Sequence, residues 1–179
     1  FDIPMYLVVA AVNDESVIEK PTNYGIKNTA TDKDANPIGV TKMQIENLAE
    51  YKAADLNNSG WVSVGENGTL ENKRQIKLQL GSLWMPDTSS KAKNEKVDVP
   101  IEENSTFRAA DDASGEKVYK PIEQGKFLDL AVNGTVKAEK RTDGKASSQF
   151  KVTYTVSPLD KTTHKPLSAV YVGDNKTEA

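Results

Sequence analysis

Residues 55–66, with the sequence DLNNSGWVSVGE, match the spacing of a calcium-binding EF-hand loop. Asp55, Asn57 and Ser59 stand at the first, third and fifth positions of that loop, and Glu66 stands at the last. Calcium binds roughly six to eight oxygen ligands, and carboxylate, amide and hydroxyl oxygens at this spacing can surround one ion. These side chains are therefore the candidate metal site of the chain, and calcium is the candidate ion.

The residues on either side of this loop are not typical of an EF-hand. A preceding helix would place Asn47 and Glu50 where apolar residues belong, and a following helix would have to begin at Asn67-Gly68. An Asn-Gly dipeptide favours a hairpin turn instead. The alternative is a polar loop that leads into a strand beginning at Trp61, and for that alternative we expect no response to calcium.

No other group of residues has a pattern that catalysis would use. The chain has no cysteine and one histidine, His164, with no residue nearby in the sequence that would orient it as an acid or base. A nucleophile elbow, a phosphate-binding loop and a glycine-rich dinucleotide turn are all missing from the sequence. We therefore predict that the protein is not an enzyme.

Trp84 is a candidate contact residue. Most aromatic residues lie in alternating segments, where packing in the core is the expected role, but Trp84 lies in residues 83–86, LWMP, which lead into a loop. An exposed aromatic side chain at such a place would contact a partner. Several Trp and Tyr side chains together could form a platform for a sugar, with core packing as the alternative.

The segments that would position these residues are strands. Residues 76–80 and 150–156 alternate apolar and polar side chains, as in a sheet with one face in a core and the other in water. Turn residues separate about nine such segments. We therefore predict an all-β protein, with residues 1–179 forming one antiparallel β-sandwich or jelly-roll-like domain and at most one short helix, near residues 46–54.

Two details of the predicted sheets concern Asn-Gly dipeptides. Residues 61–64 and 74–80 are expected to form a hairpin around Asn67-Gly68, and residues 127–138 are expected to form a hairpin or one bulged strand at Asn133-Gly134. The predicted core consists of the inward-facing residues of the alternating segments. They are Ile76, Leu78, Leu80, Leu128, Leu130, Val132, Phe150, Val152, Tyr154 and Val156.

Composition excludes several classes of protein. The chain has 179 residues, 37% of them hydrophobic and 27% charged, which is typical of a folded protein. Its net charge of -3, with both signs interspersed, argues against a nucleic-acid partner. No apolar run approaches the roughly 20 residues that span a bilayer. The lack of cysteine excludes disulfides and thiolate zinc sites, and it is compatible with the cytosol and with a Gram-positive exterior.

The most apolar segment is residues 3–12, IPMYLVVAAV, which predicts a strand buried on both faces. The chain opens on Phe1, in what is expected to be the middle of this strand, as would a piece of a longer precursor. Residues 1–12 could leave their own sheet and complete the sheet of a neighbouring copy. The alternative is an ordinary first strand of the home domain. The side chains expected to carry the assembly contact are Ile3, Met5, Leu7 and Val9.

Short motifs along the chain resemble Gram-positive surface β-sandwiches of the WxL and camelysin-like kind. They are FDIPMYL at residues 1–7, YGIKNT at 24–29 and PIGVT at 37–41, and Gly60-Trp61 and residues 150–156 follow in the same order. The Trp-x-Leu signature itself is absent, because neither tryptophan has a leucine two positions later. The resemblance implies an envelope-exposed, non-catalytic sandwich, and for camelysin-like proteins it also implies polymerisation into matrix fibres.

We therefore expect an extracellular structural protein of the cell surface of a Gram-positive bacterium. It would be a subunit of a fibre, pilus or surface matrix, and copies would self-associate by β-strand addition. The alternative is an adhesin module that binds cell-wall polysaccharide or peptidoglycan, with or without stabilisation by calcium. Neither a nucleic-acid partner nor a membrane span is expected in either case.

Overall fold

A computed structural model describes residues 1–8, 23–137 and 148–167, and within these ranges the chain is all-β, as the sequence predicts. The helical structure there is a single 3-10 turn, Leu56–Asn58. Residues 46–54 hold no helix, because the pairing of β3 with β10 keeps Glu46 and Asn47 in a strand and bends follow. The strands are β1 (Asp2–Val8), β2 (Gly25–Lys27), β3 (Ile38–Asn47), β4 (Val62–Ser63), β5 (Gln75–Leu80), β6 (Leu83–Trp84), β7 (Val97–Asp98), β8 (Phe127–Asp129), β9 (Val132–Val136) and β10 (Ser148–Pro158).

The first sheet is antiparallel and has the strand order β1-β10-β3-β7. Its long central strands β10 and β3 pair from Phe150 opposite Asn47 to Pro158 opposite Ile38, with a bulge between Thr155 and Val156. The alternate residues of β10 point into the core, which is the pattern that residues 150–156 predict.

The second sheet is built around β5, which pairs with β4, β6 and β9. The prediction of a hairpin between β4 and β5 is wrong, because the two strands pair in parallel, with Val62 opposite Gln75. A turn does form over residues 65–68, because the Gly68 N–H donates to the Gly65 carbonyl at 3.3 Å. A second bend then reverses the chain again: the Gln75 side-chain oxygen accepts hydrogen bonds from two consecutive backbone N–H groups, those of residues 71 and 72.

The expected hairpin at Asn133-Gly134 is also not formed. Asn133 and Gly134 lie inside β9, opposite Gln79 and Leu78 of β5. The preceding strand, β8, pairs with β2 in a separate two-stranded sheet. Residues 127–136 therefore form two successive strands with different partners rather than two strands that pair with each other.

Strands from these sheets contribute to one hydrophobic cluster, an arrangement consistent with a β-sandwich. Every residue of the predicted core is buried except Leu128, which is half-buried and packs against the cluster. The rings of Phe107 and Tyr154 lie 6.3 Å apart in this cluster. Phe107 comes from an irregular segment, so loops as well as strands fill the core.

A hydrogen bond between two tyrosine hydroxyls crosses the interior. The Tyr24 and Tyr154 hydroxyl oxygens lie 3.2 Å apart, and both side chains are buried. Burial raises the pKa of both phenols above the ordinary value, because a phenolate would lose its hydration there. Both tyrosines are therefore neutral at physiological pH and belong to the core rather than to a surface platform.

Candidate functional site

The candidate assembly strand, β1, lies at the edge of the first sheet. Among the described strands it pairs with β10 alone, from Asp2 opposite Thr155 to Leu7 opposite Phe150. Leu7 is 1% exposed, and Ile3 and Met5 are half-buried against the hydrophobic cluster. The structure thus brings together three of the predicted assembly residues, whereas Val9 lies outside the described residues.

The prediction that this strand is buried on both faces is wrong for its described part. Asp2, Pro4 and Tyr6 alternate with the buried set and are exposed, and 58% of Tyr6 is accessible. A continuous apolar run does not distinguish the two faces of a strand, and here one face of β1 packs on the hydrophobic cluster while the other is exposed.

The backbone N–H and C=O groups of β1 point toward β10 at every second residue and away from it at the others. The Phe1 amino group donates to the Val156 carbonyl, and the Val156 N–H donates to the Phe1 carbonyl, both at 2.8 Å. In an antiparallel ladder the residues of such a hydrogen-bonded pair alternate with residues whose N–H and C=O point away from the partner. Ile3, Met5 and Leu7 therefore direct their backbone groups at β10, and the intervening residues direct theirs at the open edge.

Two side-chain contacts on the solvent face match this register. The Thr155 hydroxyl donates to the Asp2 carboxylate at 2.7 Å, and the Lys151 ammonium lies 6.0 Å from the centre of the Tyr6 ring. Each contact joins directly opposite residues of β1 and β10. Contacts between exposed side chains stabilise a sheet only slightly, so Leu7 and its half-buried neighbours hold the strand in place.

The EF-hand-like loop has a different geometry from a calcium loop. Ser59 is buried, and its hydroxyl accepts the Lys52 N–H at 2.7 Å and donates to the Gly60 carbonyl at 3.0 Å. The Asp55 carboxylate accepts from the Asn58 amide at 2.8 Å. No group of three or more acidic, histidine or cysteine side chains within the described ranges could hold a metal ion. The geometry favours the polar-loop alternative.

We expect Ca²⁺ to leave the melting temperature unchanged. Asn57 and Glu66 are exposed, and the side-chain oxygens of Asp55 and Ser59 already form hydrogen bonds with neighbouring groups of the chain. Calorimetry with Ca²⁺, with Mg²⁺ and with chelator measures this directly, and Glu66→Gln is the matched variant. A rise in melting temperature that needs both Ca²⁺ and the Glu66 carboxylate would show that the loop is a calcium site.

Trp84 and His164 do not form a reactive centre with the other candidate residues. Trp84 is half-buried in β6 opposite Gln79, and the chain leaves the strand directly after it. His164 has a left-handed backbone with a φ of 55°, and its N–H and carbonyl bond to Asp160 and Tyr119. Trp84 remains a predicted contact residue through its exposed part.

Ion pairs within one loop, and between that loop and Lys165, are a feature that the sequence analysis missed. Arg108 pairs with Asp111 and lies 3.8 Å from Glu103, and the Lys165 ammonium lies 2.6 Å from the Asp112 carboxylate. Hydrogen bonds from Arg108 and from Lys165 lower the pKa of Asp111 and of Asp112 respectively. Their charges are already neutralised by these partners, so the cluster joins loops and offers no free acid or base. The sequence gives no signal that Asp112 pairs with Lys165, because the two residues are far apart along the chain.

Comparison with known proteins finds no family model, no curated protein and no solved structure that matches this chain. The described residues also contain no helix of the length and apolarity that a membrane span requires. The most specific geometry for a functional inference is therefore that of β1 on β10.

Proposed function

We propose that this protein is a non-catalytic structural subunit of the cell surface of a Gram-positive bacterium, and that copies assemble into a fibre or matrix by exchanging β1. One copy would place Ile3, Met5 and Leu7 against β10 of the next. The observation that carries the proposal is that β1 is an edge strand attached to one described strand, β10, through a single ladder and one apolar face.

Exchange of this strand would conserve nearly all its contacts. A β1 strand from a neighbouring copy can form the same register on β10, with Leu7 opposite Phe150. The contacts made and lost are then the same. The equilibrium between β1 docked in its own copy and β1 docked in a neighbour therefore depends on the protein concentration and on the chain that joins β1 to the rest of the fold. Residues 9–22 separate β1 from Asn23, and a chain of this length can reach at most about 45–50 Å.

The edge of β10 also needs a partner strand. Without β1, the backbone groups of Phe150, Val152 and Tyr154 that face it would lose their hydrogen bonds. The place of Leu7 in the core would also be empty. Burying one leucine side chain stabilises a fold by about 1.5–3 kcal/mol. A strand is therefore strongly favoured at this edge, whether it comes from the same copy or from another one.

The proposed location rests on other observations. The resemblance of residues 1–7, 24–29 and 37–41 to WxL and camelysin-like proteins implies the bacterial envelope. The sequence carries no nucleophile elbow, phosphate-binding loop or glycine-rich dinucleotide turn, and this supports the proposal of a non-catalytic role.

A disulfide trap tests the exchange. Tyr6 and Lys151 are opposite each other in the ladder, in a pair that is not hydrogen-bonded, and the closest approach of strands at such pairs suits a disulfide. The chain has no cysteine of its own. We expect that Tyr6→Cys protein mixed with Lys151→Cys protein forms, on mild oxidation, dimers in which residues 6 and 151 are linked, as identified by mass spectrometry.

The matched control replaces Tyr6→Cys with Asp2→Cys. Asp2 is opposite Thr155, so a cysteine there is out of register with residue 151 and should not be trapped with it. Mixtures that give no linkage between residues 6 and 151, while the doubly substituted chain closes the same disulfide within one molecule, would refute the proposal. That result would assign β1 to its own domain.

A further inference from the structure

Pro4 occupies the centre of the outward side of β1. The hydrogen-bonded pair of Phe1 and Val156 sets the alternation, so the backbone groups of Asp2, Pro4 and Tyr6 point away from β10. Proline has no N–H, and in sheets it is tolerated at the positions of an edge strand where the N–H would face solvent. The register of β1 is therefore one that accommodates Pro4, whereas a slip by one residue would place the proline against β10.

We infer that Pro4 makes β1 a one-sided strand, which pairs fully with β10 and closes the outward edge to any further strand. The part of the inference that concerns fibres rests on the proposed function. Copies linked by exchanged strands would then join in single file, and filaments would not associate side by side through the edge of β1.

The physical reason is the hydrogen-bond ladder that a further strand would need. An added antiparallel strand would find donors at Asp2 and Tyr6, but at Pro4 it would meet a ring in place of an N–H. Its own carbonyl opposite Pro4 would lose water without gaining a partner. Proline and exposed charge, here Asp2, are two of the features by which proteins protect sheet edges.

The other described edge of the same sheet is closed by different means. Strand β7 has only the residues Val97–Asp98, and Pro100 follows shortly after it. The Val99 N–H donates to the Met43 carbonyl, so the last bond of this edge points inward. A strand this short offers little template for addition. Neither described edge of the sheet is thus open to a long added strand, which leaves replacement of β1 as the route by which a strand from another copy can join it.

The first test restores the missing donor. Pro4→Thr adds an N–H at the outward edge and a side chain that favours strands. We expect the assemblies of the Pro4→Thr protein to associate side by side. Light scattering should show a mass about twofold or more above that of the unchanged protein, and electron microscopy should show bundles. Tyr6→Thr is the matched control, because it places the same residue on the same edge without adding an N–H. Equal masses for Pro4→Thr, Tyr6→Thr and the unchanged protein would overturn the inference.

The second test checks the one-sided ladder without reference to assembly. Tyr6→Pro removes an outward N–H and should leave the melting temperature almost unchanged, whereas Met5→Pro removes an N–H that points at β10 and should lower it clearly. Equal losses in the two variants would refute the one-sided strand. Lateral association of Pro4→Thr without any linkage between residues 6 and 151 would reject strand exchange and still support the closed edge, so the two proposals fail separately.

Discussion

Phe150→Ala is expected to lower the free energy of unfolding by about 3–5 kcal/mol, the range found for aromatic residues removed from well-packed cores. Phe150 is 0% exposed, and it lies between Leu7 of β1 and Asn47 of β3 in the central strand β10. Truncation would leave a cavity in a place that two neighbouring strands prevent from collapsing. Urea unfolding followed by fluorescence measures the change, with an unchanged dependence on urea showing that the unfolding transition is otherwise the same.

Phe127→Ala is the matched control, since it makes the same chemical change at the surface. Phe127 is 47% exposed at the start of β8, and its ring lies against Gly25 of the paired strand. We expect a loss of about 1 kcal/mol or less there. A loss below about 0.5 kcal/mol for Phe150→Ala would mean that β10 is displaced by one residue, because that shift exchanges its buried and exposed faces.

Thr88→Val is expected to lower the free energy of unfolding by about 2–6 kcal/mol although it preserves the shape of the side chain. Thr88 is 0% exposed, and its hydroxyl donates to the Asn47 side-chain oxygen at 2.8 Å while accepting the Ser63 N–H at 3.0 Å. Valine would leave both groups without a partner in a region that water does not reach. An unpaired buried polar group costs about 1–3 kcal/mol, so two of them give the expected loss.

This network holds a loop in place as well as a side chain. The Asn47 amide donates to the Thr88 carbonyl at 2.9 Å, and the Thr88 N–H donates to the Ser63 carbonyl at 2.8 Å. Hydrogen exchange of the Ser63 amide should therefore quicken in Thr88→Val. Thr41→Val is the control, because Thr41 is half-exposed and water can replace its contact with Ser157. Equal losses of stability in the two variants would contradict a role for the buried network.

The alternation in residues 76–80 and 150–156 was sufficient to predict two strands and the faces they bury. A period of two has a single structural meaning when apolar side chains must leave water, so Leu78 and Tyr154 could be assigned to the core without knowledge of their partners. These features are local, or they depend on residue type alone.

Partner choice could not be predicted in this way. Asn67-Gly68 and Asn133-Gly134 are the same dipeptide, yet one lies in a turn that leads to a parallel pair and the other lies inside β9. The difference arises from contacts with distant residues, such as Leu78 opposite Gly134, whose free energy exceeds the turn preference of two residues. The ion pair of Lys165 with Asp112 is another contact between segments far apart in the sequence.

For β1, the sequence determined one part of the description and the tertiary structure the other. Its sequence alone determined that Ile3, Met5 and Leu7 must be withdrawn from water and that Pro4 cannot donate a hydrogen bond. Only the tertiary structure decided that β1 is an edge strand with one buried face, and that Pro4 lies on the side away from β10. The reason is physical: the free energy of burial depends on composition, whereas the direction of a backbone N–H depends on the register that a distant strand imposes.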